Sequence, residues 1–385
     1  MVDGPILPES KVVRDTHTGL EIRQITDHPS THHHPFYYVP PYDDAMEHLV
    51  FVSHRTGRPE LWCEIRSTGE LQQLTEQSGI AEWSIYPSHD GRYVYYTAGS
   101  GGWRVSTRTM VAEQVVELSG STGRARGMVG AAMGTTALSY DDRFWAVPVV
   151  AGAMHRLLIV DTLSGGHRII LERDSVGHPE FHPADNSLLR YAGPHDNRIW
   201  VIRRDGTENR LVYERRPAEW IVHETWRPRS PGDDRLPHRE IITTRWPHGC
   251  IGIDIDSGAV RSVCNFNAWH PCINRQGNQM CADTTYPDRG LQLFDPCDGI
   301  GVPSLLCYPE STNQGEHWNT DHCPYDDDDY RSGRRKVYAP QHTHPHPAFS
   351  PDGKMIVFTS DRSGHSQVYE VRIPPKQLVG HHDTA

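Results

Sequence analysis

The fold is decided by residues 346–371, which read HPAFSPDGKMIVFTSDRSGHSQVYEV. A Pro-Asp-Gly turn precedes an alternating apolar strand, and a second turn, Asp361-Arg-Ser-Gly364, precedes another strand. This succession of strands and tight turns is typical of one blade of a β-propeller. Weaker copies occur upstream, and the turns of all copies centre near residues 43, 90, 141, 185, 233, 277 and 352.

The spacing of these turns predicts the number of blades. Five of the six intervals are close to the roughly 40–50 residues that one blade occupies. The last interval is longer and contains a polar insertion at 308–338, which we expect to be a loop between blades six and seven. We therefore predict an all-β fold, a single seven-bladed β-propeller domain spanning residues 1–385. A ring of six or eight blades, with the first and last segments sharing one blade, is the alternative.

Composition and charge narrow the classes of partner. The chain has 385 residues, a formal net charge of −11 and no concentrated basic patch, so we expect no nucleic-acid partner. Its apolar runs are shorter than the roughly 18 residues that span a bilayer, so we expect no membrane partner. The first residues lack the basic and apolar segments of a signal peptide, which predicts a cytoplasmic protein.

We interpret the eight cysteines as free thiols, with bridges inside 250–323 as the alternative.

Four histidines recur at one position of successive repeats. His178, His223 and His346 each stand five residues before a proline, and His270 and His346 each stand seven residues before a glycine. The first strand of each blade lines the central channel of a propeller, so equivalent positions in neighbouring blades face the same axis. Four imidazoles at one level of that axis indicate a metal or catalytic centre.

A second polar cluster flanks the last of these histidines, in Gln341-His-Thr-His344-Pro-His346. Residues two apart in an extended strand face the same side, so His344 and His346 point together, and Gln341 can reach them from the preceding loop. With His270 they offer three imidazoles and one amide oxygen. This set favours Mn²⁺ or another octahedral divalent ion by a small margin over a closed zinc site, and histidines that bind no metal are the alternative. We interpret the run His32-His33-His34 as accidental in a chain with 25 histidines.

Two more residues are candidates for contact with a substrate. His223 lies in Trp220-Ile-Val-His-Glu-Thr-Trp226 and is a candidate general base, because a free imidazole has a pKa of about 6.5. A structural histidine in the channel is the alternative. Arg198 follows Gly193-Pro-His-Asp-Asn197, and its planar guanidinium suits a bidentate pair with a carboxylate. A solvated arginine at a strand end is the alternative.

The oligogalacturonate lyases are the family that this chain resembles, through an ordered series of motifs: Gly193-Pro-His-Asp196 with Arg198, His223-Glu-x-Trp226, His270, and Gln341-x-x-His344-x-His346. The opening Asp15-Thr-His-Thr-Gly19 and Arg23-Gln-Ile-Thr26 is also similar to the start of that family. The resemblance implies a cytoplasmic, seven-bladed lyase of pectin breakdown.

The same resemblance implies roles for individual residues. It implies a manganese site of His270, Gln341, His344 and His346, with His223 as the base and Arg198 as the substrate clamp. To these we add, as candidate substrate-binding residues, His178 and His195. The partner this implies is an acidic oligosaccharide.

The chemistry expected of such a site is metal-assisted β-elimination. The metal and Arg198 would stabilise the enediolate formed when His223 removes the C5 proton of a uronate, and loss of the C4 oxygen would leave a C4=C5 unsaturated sugar. The alternatives are a lyase for glucuronate-containing glycans and a binding propeller without catalysis. A glycoside hydrolase would need two carboxylates flanking the bond, and a serine peptidase propeller would need a G-x-S-x-G elbow in an attached domain.

Overall fold

The computed structural model describes residues 4–118, 134–229, 236–312 and 341–375. Its regular elements are β-strands, with a 3-10 helix at Gln341–Thr343. The strands of the first half are β1 Lys11–Arg14, β2 Glu21–Gln24, β3 His32–His33, β4 His48–Ser53, β5 Glu60–Ile65, β6 Leu71–Gln73, β7 Tyr86–Pro87, β8 Tyr93–Ala98, β9 Gly101–Ser106, β10 Ala112–Glu117, β11 Ala137–Leu138, β12 Phe144–Ala151, β13 Met154–Asp161 and β14 His167–Arg173. Those of the second half are β15 Gly177–His182, β16 Asp185–Ala192, β17 Ile199–Arg203, β18 Arg210–Leu211, β19 Trp220–Arg227, β20 Glu240–Trp246, β21 Cys250–Asp254, β22 Val260–Cys264, β23 Ala268–Ile273, β24 Met280–Thr284, β25 Leu291–Phe294, β26 Ser304–Cys307, β27 Ala348–Phe349, β28 Met355–Ser360 and β29 Gln367–Arg372.

The strands of the described residues form seven antiparallel sheets, and the predicted seven-bladed β-propeller is confirmed. The turns predicted near 90, 141, 277 and 352 are the connections β7–β8, β11–β12, β23–β24 and β27–β28. Gly277 and Gly353 in two of these turns have φ angles of 67° and 71°, in the left-handed region that glycine adopts without steric cost. The turn residues therefore set the blade pattern, as the sequence predicts.

One compact unit of the chain comprises residues 1–8 and 39–215. It holds three complete sheets, β7–β10, β11–β14 and β15–β18, together with strands β4–β6. Inner strands such as β4 and β8 read as nearly continuous apolar runs because both of their faces are covered. Side chains from β4 and β5 pack against those of β8 and β9 in one buried cluster that includes Val50, Val52, Leu61, Cys63, Val94, Tyr96 and Val105.

The other compact unit comprises residues 9–38 and 216–385. It holds the sheets β19–β22 and β23–β26, and a five-stranded sheet of order β1-β2-β29-β28-β27. In the last sheet Ile22 pairs with Val371, and Arg23 pairs with Glu370 in an ion pair of 3.0 Å. The first and last segments of the chain thus share one blade. We expect this sharing for a ring of six or eight blades, but it occurs here with seven sheets.

Some sequence-based expectations concern residues that the structure describes only in part. The insertion predicted at 308–338 lies, from residue 313 onward, outside the described residues, as does Cys323. The single domain over 1–385 stays a prediction. The other seven cysteines are free thiols, buried except for partly exposed Cys297. Over the described ranges, no helix has the length and apolar character needed to cross a membrane.

Candidate metal and catalytic centre

Three of the four recurrent histidines lie in the first strand of a sheet, each at an interruption of the strand pairing. His223 lies between Val222 and Glu224, where the pairing of β19 with β20 shifts register. The register of β23 with β24 shifts around His270, and that of β15 with β16 shifts around His178. Such a bulge turns a side chain away from the regular alternation of a strand.

Three of the four recurrent histidines have a backbone conformation that is unusual for residues other than glycine. His178, His223 and His346 have φ angles of 47°, 53° and 45°, in the left-handed region. This conformation costs free energy for a residue with a Cβ, and it is concentrated at functional sites. His346 differs from the other two in its position, since it lies just before β27 and not within a strand.

His270, His344 and His346 form a three-histidine group. One ring nitrogen from each can be chosen so that all three lie within 4.8 Å of one another, and all three side chains are buried. The ring centroids of His270 and His346 are 4.2 Å apart, and that of His344 is 5.7 Å from both. Three imidazole nitrogens this close together suit a divalent transition-metal ion and leave coordination positions for other ligands. The donor set therefore fits the predicted metal.

Asp283 holds His270 from strand β24. Its Oδ1 accepts the backbone N–H of His270 at 2.7 Å, and its Oδ2 lies 2.8 Å from Nδ1 of the same residue. The carboxylate is fully buried. Sequence reasoning missed this residue, although a charged side chain in the otherwise apolar run Met280-Cys-Ala-Asp-Thr284 was a signal that could have found it.

The loop between the other two histidines is also fixed. The carbonyl of Pro345 accepts the backbone N–H of Thr359 at 3.0 Å and lies 3.2 Å from Nε2 of His34. His34 is fully buried, and that burial lowers its pKa to about 3, so the ring is neutral and Nε2 donates. His34 is not part of the three-histidine group, but it supports the loop that carries His344 and His346.

Burial also keeps His346 in the form that binds metals. It holds the pKa of this imidazole well below its ordinary value, and the neighbouring His270 and His344 lower it further. A neutral imidazole is the form that donates a lone pair to a metal.

His223 lies beside the three-histidine group without being a member of it. Its ring centroid is 4.3 Å from that of His270 and 4.4 Å from that of Trp269. Tyr37 packs edge-on against His223 at 5.6 Å, and its hydroxyl donates to the carbonyl of Glu224 at 2.8 Å. Phe36 packs 4.9 Å from His346. The buried Phe36 and Tyr37 rings thus limit the access of water to the histidines from their side.

Three of the remaining candidates, Arg198, His195 and His178, lie in the unit of residues 1–8 and 39–215, and Gln341 lies in the unit of residues 9–38 and 216–385. Arg198 is buried and ends the connection from β16 to β17, and its carbonyl accepts the N–H of Gly193 at 2.8 Å. His195 is partly exposed in the same connection. His178 is buried, and its carbonyl accepts a bond of 2.9 Å from Arg190. The backbone of Gln341 begins the 3-10 helix, while its side chain lies outside the described set. The substrate and metal roles of these four residues stay predictions.

Comparisons with known proteins find similarity to lyases. No protein-family model matches it. The oligogalacturonate lyase of Dickeya dadantii (strain 3937) is 24% identical to it over 94% of this chain and 95% of its own length. An oligogalacturonide lyase of Pectobacterium atrosepticum is 28% identical over 57% of this chain and 55% of its own. The solved structure of an oligogalacturonate lyase in complex with manganese aligns with a TM-score of 0.75 at 22% identity, over 96% of this chain and 98% of that one.

These similarities confirm the resemblance drawn from the sequence. The resemblance to the oligogalacturonate lyases extends over nearly the whole chain, and both curated relatives are enzymes of the lyase class. The expected divalent metal agrees with the three-histidine group and with the manganese in the similar solved structure.

Proposed function

We propose that this protein is an oligogalacturonate lyase-like enzyme, which cleaves short uronate-containing oligosaccharides by metal-assisted β-elimination. The observation that carries the proposal is the three-histidine group with a fourth histidine, His223, beside it. The similarity to named lyases over 94% of the chain supports the same reaction class. We also propose that the enzyme is cytoplasmic, as expected from the sequence.

The residues that would hold the metal are His270, His344 and His346, with Gln341 as a further ligand through its amide oxygen. Manganese is the ion of the similar solved structure, and it accepts mixed nitrogen and oxygen ligands. When bound, a divalent ion acts as a Lewis acid that withdraws electron density from the uronate carboxylate and so acidifies the proton at C5.

The proton transfer is assigned to His223. A neutral imidazole is a suitable base near neutral pH, and it would take the C5 proton while the C–H electron pair forms the C4=C5 double bond. The C4–oxygen bond would break, and the leaving oxygen would keep that bond's electron pair and take a proton from water. Arg198 would bind the substrate carboxylate through two parallel N–H···O bonds and stabilise the charge that builds up on it. His178 and His195 would contact the sugar hydroxyls.

The test is ultraviolet absorbance during incubation with short oligogalacturonates. We expect a growing signal from the unsaturated product, its loss on treatment with a chelator, and its return when Mn²⁺ is added. The same assay with glucuronate-containing glycans identifies the preferred uronate. Absence of the signal with every metal and every uronate glycan would overturn the proposed reaction and leave a binding propeller.

A further inference from the structure

We infer that Asp283 is a positioning residue of the metal centre: it holds His270 so that Nε2, and not Nδ1, is the metal-binding nitrogen. The inference rests on the proposed function, because it assumes that the three-histidine group binds a metal. It concerns a residue that touches neither substrate nor metal and acts through His270.

The hydrogen bonds of Asp283 determine which ring nitrogen carries the proton. A carboxylate only accepts hydrogen bonds, so the 2.8 Å contact from Nδ1 of His270 to Oδ2 requires the proton to be on Nδ1. The lone pair is then on Nε2, on the far side of the ring. A carboxylate that accepts the N–H on the other side of the ring commonly orients a metal-binding histidine in this way.

The same carboxylate compensates for the bulge in β23. Ala268 pairs with Thr284 and Pro271 with Ala282, and the shift of register between these pairs interrupts the ladder at His270. A buried backbone N–H that lacks a partner is costly, and Oδ1 of Asp283 accepts the N–H of His270 at 2.7 Å. Asp283 therefore fixes both the backbone and the ring of His270.

His270 needs this support more than its counterparts do. His178, His223 and His346 have left-handed backbones that direct their side chains, whereas His270 does not adopt a positive φ. The three-histidine group also contains no carboxylate. Asp283 thus places a carboxylate one hydrogen bond away from a proposed ligand of the ion.

The test replaces the carboxylate by its amide, Asp283→Asn. Asparagine keeps an oxygen for the backbone N–H of His270 but turns an NH₂ donor toward Nδ1, so the ring proton moves to Nε2 and blocks the metal-binding nitrogen. We expect the affinity for Mn²⁺, measured by calorimetric titration of the full chain freed of metal, to fall by about 10- to 100-fold. The matched control is Asp288→Asn in the next connection of the same sheet, where Asp288 accepts the N–H of Gly290 at 2.8 Å. Its Mn²⁺ affinity should equal that of the unaltered protein.

A second measurement needs no variant and so survives if Asp283→Asn fails to fold. Nitrogen chemical shifts of isotope-labelled histidine in the unaltered, metal-free protein should show the proton of His270 on Nδ1. Unchanged Mn²⁺ affinity in folded Asp283→Asn, or a proton on Nε2 in the unaltered protein, would overturn the inference and leave the lyase reaction standing. Mn²⁺ binding that depends on Asp283 without any turnover of uronates would support the inference and overturn the lyase reaction.

Discussion

The imidazole rings of His223 and His270 lie 4.3 Å apart, centroid to centroid, at bulges in the first strands of two sheets. His270 belongs to the three-histidine group, and Asp283 fixes its orientation. His223 lies outside that group, although it is close to it. In the proposed function this arrangement would separate two tasks, because a residue beside a metal can move a proton without giving up its lone pair to the ion.

The first prediction concerns His223→Ala. If His223 is the base, the variant should bind Mn²⁺ like the unaltered protein while kcat falls by about 10²- to 10⁴-fold, the usual contribution of a general base. The ultraviolet assay gives kcat, and a Mn²⁺ titration gives the affinity. The control is the exposed His365→Ala, which should change neither quantity. Turnover retained by His223→Ala would remove His223 from the role of base.

Most of the features that sequence alone could predict repeat along the chain, and His344 follows from its spacing of two residues from His346. Turns recur at the blade interval, and His223, His270 and His346 recur at a fixed distance from a proline or a glycine, so their common position is visible without a structure. Asp283 and His34 do not repeat. Asp283 lies opposite His270 in the strand register that pairs Pro271 with Ala282, and His34 meets Pro345 from 311 residues earlier in the chain. Such contacts depend on register and on chain closure, which a local pattern does not encode.

The second prediction concerns Arg198→Lys. A lysine keeps the positive charge but replaces a planar fork of donors with a single ammonium, so one charge-assisted hydrogen bond to the substrate carboxylate is lost. Such a bond contributes about 1.5–3 kcal/mol, so we expect kcat/KM to fall by roughly 10- to 100-fold. Steady-state kinetics on oligogalacturonates measures this, with the exposed Arg372→Lys as the control. Kinetics equal to those of the unaltered protein would argue against the clamp.

The third prediction concerns a buried ion network between strands β19, β20 and β22. Glu240 accepts bonds of 2.6 Å from Nε of Arg227 and 2.5 Å from Nε of Arg261, and the side chains of Glu240 and Arg227 are 1% and 0% exposed. Glu240→Gln would leave the charge of Arg227 buried without an opposite charge. We expect the free energy of unfolding to fall by about 3–5 kcal/mol.

Urea denaturation of the full chain measures this loss. The matched control is Asp256→Asn, which removes an exposed ion pair with Arg239 from the same sheet. An exposed pair of this kind contributes about 1 kcal/mol or less. A loss of similar size in both variants would show that burial does not strengthen the Glu240 network.

The last prediction compares two glycines at one repeat position, seven residues after His270 and His346. Gly277 and Gly353 have nearly the same φ, 67° and 71°, so alanine at either costs about 1–2 kcal/mol for the left-handed backbone. Their surroundings differ. A Cβ on Gly277 would lie 1.8 Å from the carbonyl oxygen of Pro228, whereas the nearest atom to a Cβ on Gly353 is 3.5 Å away. Gly277→Ala must therefore displace backbone of the neighbouring blade, and we expect it to lower the free energy of unfolding by more than about 3 kcal/mol, well beyond Gly353→Ala. Thermal unfolding of the two variants side by side measures the difference. Equal midpoint temperatures would mean that the close approach of Gly277 to the carbonyl of Pro228 does not constrain the packing of these blades.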